Sequence, residues 1–206
     1  MSFKITITLA ITGASGAQYG IRLLEVLLAA NCRVYLLISR AAEVVIATET
    51  AMPLPSEDTA AQQAFLERHF DVDSAQLRVF SREDWFSPVA SGSSTPAAMV
   101  ICPASGGTLS ALASGASNNL IERAGDVALK ERRQLIVVPR EAPYSEVHLQ
   151  NMLNLTRMGA VIIPASPGFY QQPKTVNDLI DFIVARILDQ LNLPHQLLQR
   201  WGESAP

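Results

Sequence analysis

The stretch ITITLAITGASGAQYG, residues 5–20, decides the fold. Its first half is a β-branched, apolar run that predicts a buried strand, and the run breaks at Gly13, Ser15 and Gly16 before helix-forming residues begin. A strand, a glycine-rich turn and a helix in that order leave free backbone N–H groups at the helix N-terminus, where an anion is favoured. The stretch therefore predicts an α/β protein with a phosphate-binding loop, although a turn with an ordinary helix cap also explains it.

Strand-like and helix-like segments alternate along the rest of the chain. The apolar segments that predict strands are FKITITLAI, CRVYLLIS, QLRVF, AMVICPA, QLIVVP and AVIIP. Segments with helical spacing lie between them, and the last helix is predicted across TVNDLIDFIVARILDQL. Such alternation forms βαβ units, which build a parallel sheet covered on both faces. We therefore predict an α/β fold, a Rossmann-like three-layer arrangement with a mainly parallel central sheet, formed as a single domain by residues 1–206.

The composition is that of a globular protein without a strong charge. The chain has 206 residues, 49% of them hydrophobic, and a formal net charge of −3, which gives no general attraction for nucleic acid or anionic lipid. No apolar run reaches the ~18 residues of a membrane span. The N-terminal apolar run is short and leads into a glycine loop, so it is interpreted as a first strand rather than a signal peptide. Cys32 and Cys102 both lie in apolar runs, as buried free thiols do. Together these features predict a cytoplasmic protein.

The first glycine loop lacks the spacing of a dinucleotide-binding loop. Its glycines are Gly13, Gly16 and Gly20, which do not match the G-x-G-x-x-G fingerprint. The second strand ends in Ser39 and Arg40, where a dinucleotide site would carry a ribose-binding carboxylate. NAD is therefore disfavoured, while NADP stays open because an arginine at this position suits a 2′-phosphate.

A second loop of the same kind follows the segment AMVICPA. It comprises Ser105, Gly106, Gly107 and Thr108, which place hydroxyl and N–H groups at another helix start. Because ligands of such sheets lie beyond the carboxyl ends of the strands, two loops at this edge indicate a phosphorylated ligand. A third small polar loop, SGSS at 91–94, fits either a ligand contact or a flexible connection.

Charged residues suited to phosphate follow in the second half of the chain. Arg140 and Glu141 come directly after QLIVVP. A guanidinium at that position can bind phosphate through two hydrogen bonds, and the adjacent carboxylate can exchange a proton, although a strand-end ion pair fits as well.

Arg123 and Lys130 are seven positions apart on one predicted helix, so they project from nearly the same face. They are either anion ligands or a solvated stripe paired with Glu122 and Asp126.

Aromatic residues and one further arginine complete the candidate site. Tyr170 follows the last predicted strand, and Trp85 and Trp201 add aromatic surface. Arg186 lies inside an otherwise apolar helix, where an arginine either binds an anion or extends its head group to solvent. The histidines and cysteines lack metal-ligand spacing, and no aspartate-rich motif is present to hold magnesium on a diphosphate. These residues suit a site for two phosphorylated groups that uses no metal.

The motifs quoted above resemble those of the flavin prenyltransferases of the UbiX/Pad type. The segments that carry the resemblance are TGASGAQYGIRLL, ASGSS, MVICPAS, LIERAGDVALKERRQLIVVPREAPYSEVHLQNM, MGAVIIPASPGFYQQP and DFIVARILD, from about residue 4 to 202. The resemblance implies an FMN-binding, dodecameric flavoprotein that joins a dimethylallyl group from dimethylallyl monophosphate to N5 and C6 of reduced FMN. The prenylated flavin is then the cofactor of a separate UbiD-type decarboxylase, in ubiquinone biosynthesis and on aromatic acids.

The resemblance also implies roles for individual residues of this chain. FMN, bound reduced and as a substrate, would meet Gly13, Ala14, Ser15, Ser39, Ser105, Gly106, Gly107, Thr108 and Arg140. Dimethylallyl phosphate would meet Arg123, Lys130, Glu141, Tyr170 and Arg186, some of them from neighbouring subunits. Glu141, Ser15, Lys130 and Trp85 would be catalytic, no metal would take part, and the helix and tail from about 175 would make oligomer contacts.

Three positions depart from the family pattern, and two other functions stay open. Ala104 stands where the family usually has Cys, Gly106 where Thr or a larger residue is frequent, and Tyr144 where Phe or Leu is common. The alternatives are an FMN-dependent decarboxylase of a peptidyl cysteine and a non-catalytic flavin carrier. The first requires a histidine base near the first helix, but the chain has no histidine before His69.

Overall fold

A computed structural model describes residues 2–198 of the chain. Its strands are β1 (Thr6–Ile11), β2 (Arg33–Ile38), β3 (Leu77–Phe80), β4 (Ala98–Ala104), β5 (Gln134–Pro139) and β6 (Val161–Ile162). Its α-helices are α1 (Ala17–Ala29), α2 (Arg40–Glu49), α3 (Thr59–Phe70), α4 (Gly106–Ser114), α5 (Leu120–Lys130), α6 (Glu146–Arg157) and α7 (Val176–Gln190). A short 3-10 helix, Pro88–Ala90, lies between β3 and β4.

The strands form one six-stranded sheet in the order β3-β2-β1-β4-β5-β6, and every pairing in it is parallel. The prediction of a mainly parallel sheet is thus confirmed. The strand order reverses direction between β1 and β4, so the crevice for a ligand opens beyond the carboxyl ends of these two strands.

Two apolar cores, one on each face of the sheet, make the fold three-layered. On one face, side chains such as Leu9 and Val100 pack against α1, α3 and α7. On the other face, Ile101 and Val137 pack against α4, α5 and α6. Neighbouring residues of one strand enter opposite cores because successive side chains of a strand point to opposite faces. This division decides which helices can share a site.

The α-helices other than α1 begin where the sequence supplies a side-chain cap. Ser39 caps α2 and Ser105 caps α4 by accepting backbone N–H groups of the first turn. The cap at Ser105 starts α4 at Gly106, two residues before the predicted start near Thr108. The segment AVIIP pairs over two residues only, so β6 is shorter than predicted.

Candidate functional site

The loops that follow β1, β4 and β5 are tied together by hydrogen bonds. The Thr12 hydroxyl, which is buried, donates to the Pro103 carbonyl at 2.8 Å and accepts the N–H of Ser105 at 2.8 Å. The N–H of Arg140 donates to the Ala104 carbonyl at 3.3 Å. These bonds hold the two glycine loops and the Arg140 segment as one rigid edge.

The start of α1 is occupied by a carboxylate of the same chain. Glu49, the last residue of α2, accepts the N–H groups of Gly16 and Ala17 at 2.7 and 3.2 Å. Partial burial alone would raise the pKa of this carboxyl, but the Ser15 hydroxyl, the two N–H groups and the charge of Arg140 together hold the pKa below its usual value. Glu49 is the main residue that sequence reasoning missed, since nothing in the local sequence indicates that α2 ends beside this loop.

The other residues of the first loop are packed closely. Gly13 lies against α2, where a Cβ on it would be 2.4 Å from the Cβ of Ala41. Ala14 is 5% exposed, so it contributes backbone rather than side chain to any ligand contact. Ser39 is fixed by the bond from its N–H to the Ile11 carbonyl at 3.0 Å, and its hydroxyl accepts from Ala42 at 3.1 Å.

Arg140 and Glu141 lie at the same edge. The Arg140 guanidinium donates from Nε to the Ser15 carbonyl at 3.1 Å, which brings it to the first glycine loop. The Glu141 carboxylate accepts the N–H of Ala142 at 3.1 Å. The charges of both residues act on the Tyr144 hydroxyl. Burial raises the pKa of this hydroxyl, the Glu141 carboxylate raises the pKa further, and the Arg140 guanidinium lowers it.

In the described part of the chain no acidic group caps the start of α4, in contrast to the start of α1. The Ser105 and Thr108 hydroxyls are 3.0 Å apart, and Ser105 caps the N–H of Thr108. Among residues 2–198, no acceptor contacts the N–H of Gly106 or of Gly107. A Cβ on Gly107 would meet no atom within 4 Å, so the helix end faces open space. These N–H groups, with the Ser105 and Thr108 hydroxyls, form a cradle that can accept an external anion.

Arg123 and Lys130 form a separate group on α5. Arg123 donates to the Ala90 carbonyl at 3.1 Å and pairs with Asp126 at 3.0 Å, and Lys130 pairs with Glu131 at 2.6 Å. The loop at 91–94 joins this group, since a Cβ on Gly92 would overlap the Glu131 carboxylate. Of the two pairings that the solvated-stripe alternative includes, the structure contains the one between Arg123 and Asp126. Glu122 does not share in it and instead accepts the N–H of Asn118.

Tyr170 and Arg186 form a third group beside β6. The Tyr170 ring meets Phe182 edge to face, with centroids 5.5 Å apart. Arg186 is one helical turn from Phe182, is exposed, and pairs with Asp189 at 2.6 Å. It lines a groove of about 290 Å³ whose wall is the β6 segment from Val161 to Pro164.

Two further residues of the sequence prediction are not placed in these groups. Trp85 is 45% exposed on the connection between β3 and β4. Trp201 lies outside the described residues. The Arg40 guanidinium, considered for an NADP phosphate, is paired with Glu57.

The cationic residues of the candidate site do not converge within one chain. Arg123 and Lys130 are on α5, and Arg186 is on α7, which packs on the opposite face of the sheet. Lys130 precedes β5 and Arg140 follows it, so about 20 Å of strand separates them. Within residues 2–198, no helix is long and apolar enough to cross a membrane, and no cluster of three potential metal ligands occurs.

The sheet order, with glycine loops at its switch point, is typical of α/β proteins that bind nucleotides. A family model described as "Flavoprotein" matches residues 1–188. The chain is 61% identical over 203 residues to the flavin prenyltransferase UbiX of Pseudomonas aeruginosa, covering 98% of this chain and 97% of the relative. The chain belongs to the flavoprotein family and, within it, to the UbiX flavin prenyltransferases.

Solved structures agree with this assignment. AnUbiX (PadA1), in complex with FMN and dimethylallyl pyrophosphate, is 40% identical, covers 97% of this chain and 98% of its own, and superposes with a TM-score of 0.84. A dodecameric FMN-dependent UbiX-like decarboxylase from Escherichia coli O157:H7 is 36% identical, covers 96% and 99% of the two chains, and has a TM-score of 0.83.

Proposed function

We propose that this chain joins a dimethylallyl group from dimethylallyl monophosphate to N5 and C6 of reduced FMN. The observation that carries the proposal is the 61% sequence identity to the Pseudomonas relative over 98% of this chain. The two glycine loops and the Arg140–Glu141 pair, which lie at one edge of the sheet, support it. The product, a prenylated FMN, would serve a UbiD-type decarboxylase in the cytoplasm, in ubiquinone biosynthesis or aromatic acid decarboxylation.

The two glycine loops would hold different parts of FMN. An incoming phosphate at the start of α1 would have to displace the Glu49 carboxylate, which already fills that position with its negative charge. The start of α4 offers free N–H groups and the hydroxyls of Ser105 and Thr108. The phosphate would therefore bind at α4, with the backbone of Gly106 and Gly107. The flavin ring would then lie towards the first loop.

The remaining FMN contacts follow from this orientation. Gly13, Ala14 and Ser15 border the ring, Ser39 lies beside the first loop, and the Arg140 guanidinium stands over the Ser15 carbonyl. Bound there, reduced FMN supplies the nucleophilic N5 and C6. The Ser15 hydroxyl is oriented by its hydrogen bond to Glu49, so it is held in one position at the ring.

The dimethylallyl phosphate site would be assembled from more than one chain. Arg123 and Lys130 lie on α5, on the face of the sheet opposite to α7 and Arg186. The dodecameric relative supports a homo-oligomer, and we propose a dodecamer for this chain. The helix from 176 onward buries Ile183 and Ile187 in its own core, so its oligomer contacts would use the exposed face that carries Arg186.

The side chains of the assembled site suit a metal-independent transfer. Lys130, Arg123 and Arg186 would bind the phosphate and stabilise it as it leaves. The rings of Tyr170 and Trp85 would exclude water and stabilise developing positive charge on the allyl group. Glu141, whose carboxylate accepts the N–H of Ala142, would take part in the proton transfers that accompany ring closure at C6.

Anaerobic incubation with reduced FMN and dimethylallyl phosphate tests the proposed activity. A flavin product heavier by one dimethylallyl group is expected, and unchanged flavin would contradict the proposal. A flavin carrier would bind FMN equally well with Lys130→Ala or Glu141→Ala and lose nothing in function. A cysteine decarboxylase would release CO2 from a peptide with a C-terminal cysteine, which the proposal does not predict.

A mixing experiment tests the shared site. Oligomers of the Lys130→Ala variant and of the Arg140→Ala variant, each expected to be inactive alone, are dissociated, mixed in equal amounts and reassembled. If the two residues reach one site from different chains, about a quarter of the sites in a random mixture carry both. Activity of about that fraction is expected. No recovery in a correctly reassembled oligomer would contradict a shared site while leaving the reaction itself untouched.

A further inference from the structure

His148, in the first turn of α6, has a ring that is oriented by a hydrogen bond from the backbone. Its Nδ1 accepts the N–H of Ser145 at 3.2 Å, and the Ser145 hydroxyl accepts the N–H of His148 at 3.3 Å. The two residues thus form a capping box at the start of α6. Because Nδ1 is an acceptor, the proton of the neutral ring resides on Nε2.

The Nε2 atom lies beside the first residue of α4. A Cβ on Gly106 would be 2.8 Å from Nε2 and farther from the other ring atoms. The imidazole can therefore occupy this position because residue 106 has no side chain. Within residues 2–198, Nε2–H has no acceptor. It lies near the Cα of Gly106, the first residue of α4, and within the same described residues no acceptor contacts the N–H of Gly106.

We propose that His148 is an FMN-binding residue that donates Nε2–H to the phosphate held at the start of α4. The inference rests on the proposed function, which supplies FMN as the ligand. It adds a side-chain donor from α6 to a cradle otherwise built from α4 alone. It also accounts for Gly106, since a larger residue there would push the imidazole away from the cradle.

Two substitutions at 148 separate phosphate binding from helix capping. His148→Glu keeps an acceptor for the Ser145 N–H, because Glu is the usual partner in a capping box, but brings a negative charge to the cradle. His148→Gln keeps both an acceptor and a donor. Gln150→Glu adds the same charge to an exposed position of the same helix and is the matched control.

The dissociation constants of FMN and riboflavin are measured by quenching of flavin fluorescence. For His148→Glu we expect FMN binding weaker by about ten- to a hundredfold, as for loss of a hydrogen bond to a charged group. Riboflavin, which lacks the phosphate, should bind as it does to the wild type. His148→Gln and Gln150→Glu should bind FMN within about threefold of the wild type.

Unchanged FMN binding by His148→Glu would overturn the inference, and so would equal weakening for FMN and riboflavin, which indicates an effect through packing.

The Gly106→Ala substitution provides a second, independent test of the inference. It should weaken FMN binding in the wild type but not in a His148→Ala background, where there is no ring to displace; equal weakening in both backgrounds would also overturn the inference. A wild-type protein that binds no FMN would instead overturn the proposed function.

Discussion

The carboxylate at the start of α1 allows a quantitative prediction about stability. Glu49→Gln replaces a charged acceptor with a neutral one of nearly the same shape. The amide oxygen can still accept from Gly16 at 2.7 Å, but the charge that faces the Ala17 N–H, the Ser15 hydroxyl and Arg140 is lost. The variant therefore isolates the contribution of the charge to holding the first glycine loop against α2.

The size of the effect follows from the hydrogen bonds that change character. A hydrogen bond to a charged group contributes about 1.5–3 kcal/mol, against about 0.5–1.5 kcal/mol for a neutral one. Two backbone bonds change in this way, and solvent screening at this partly exposed position reduces the sum. We expect a loss of about 1–2 kcal/mol near neutral pH, or about 2–8 °C in melting temperature for a chain of this size.

The pH dependence gives the sharper test. Because the pKa of Glu49 is lowered by folding, its ionised form stabilises the protein above the ordinary glutamate pKa of about 4.3. That contribution is lost as the pH falls through the lowered pKa. The difference between wild type and Glu49→Gln should therefore be largest near neutral pH and shrink in acid.

Thermal unfolding at one protein concentration, from about pH 7 down to the acid limit of solubility, measures this difference. Glu25→Gln is the control, since Glu25 forms only an exposed ion pair with Arg22 and such pairs contribute little. Equal stability of wild type and Glu49→Gln near neutral pH would refute the reasoning. So would a difference that stays constant in acid, because it could not come from the carboxylate charge.

Three further predictions concern packing and the cradle. Gly20→Ala would place a Cβ 2.3 Å from the Cys102 carbonyl oxygen, so α1 must shift; we expect a net loss of ~1–2 kcal/mol by chemical denaturation despite the better helix propensity of Ala. Gly107→Ala, which meets no protein atom, should leave the melting temperature unchanged or slightly raised but weaken FMN binding in a fluorescence titration; undiminished binding would place the ligand elsewhere. The pKa of Cys102 is raised by complete burial, and Cys32 is also buried, so a thiol reagent should modify neither until the protein unfolds; rapid labelling of the native protein would contradict this.

The fold could be read from the sequence because each element carries its own local pattern. The run at 98–104 is buried at every position, as its unbroken apolar character predicts for a central parallel strand. Helices begin at serine, threonine, aspartate and asparagine caps that are visible in the sequence. The length of β6 is harder to predict from the sequence, since pairing at a sheet edge depends on the neighbouring strand as well as on the apolar segment AVIIP.

The candidate site could be predicted only in part, because its key contacts join distant segments. The loop residues and Arg140 follow strand ends and are found by topology alone. Glu49 is 33 residues from Gly16, and no spacing rule connects the end of α2 to the start of α1. The contact between His148 and Gly106 likewise depends on how α6 packs on α4.

The two glycine loops show why similar sequences at strand ends need not bind the same group. Both supply N–H groups at a helix start, and both lie at the carboxyl edge of neighbouring strands. At α1 the chain satisfies these groups with its own carboxylate, which fixes Ser15 and excludes a second anion. At α4 it leaves them free and adds an imidazole. We therefore propose that a nucleotide with one phosphate binds this edge with its phosphate at the start of α4 and its ring beside Ser15 and Arg140.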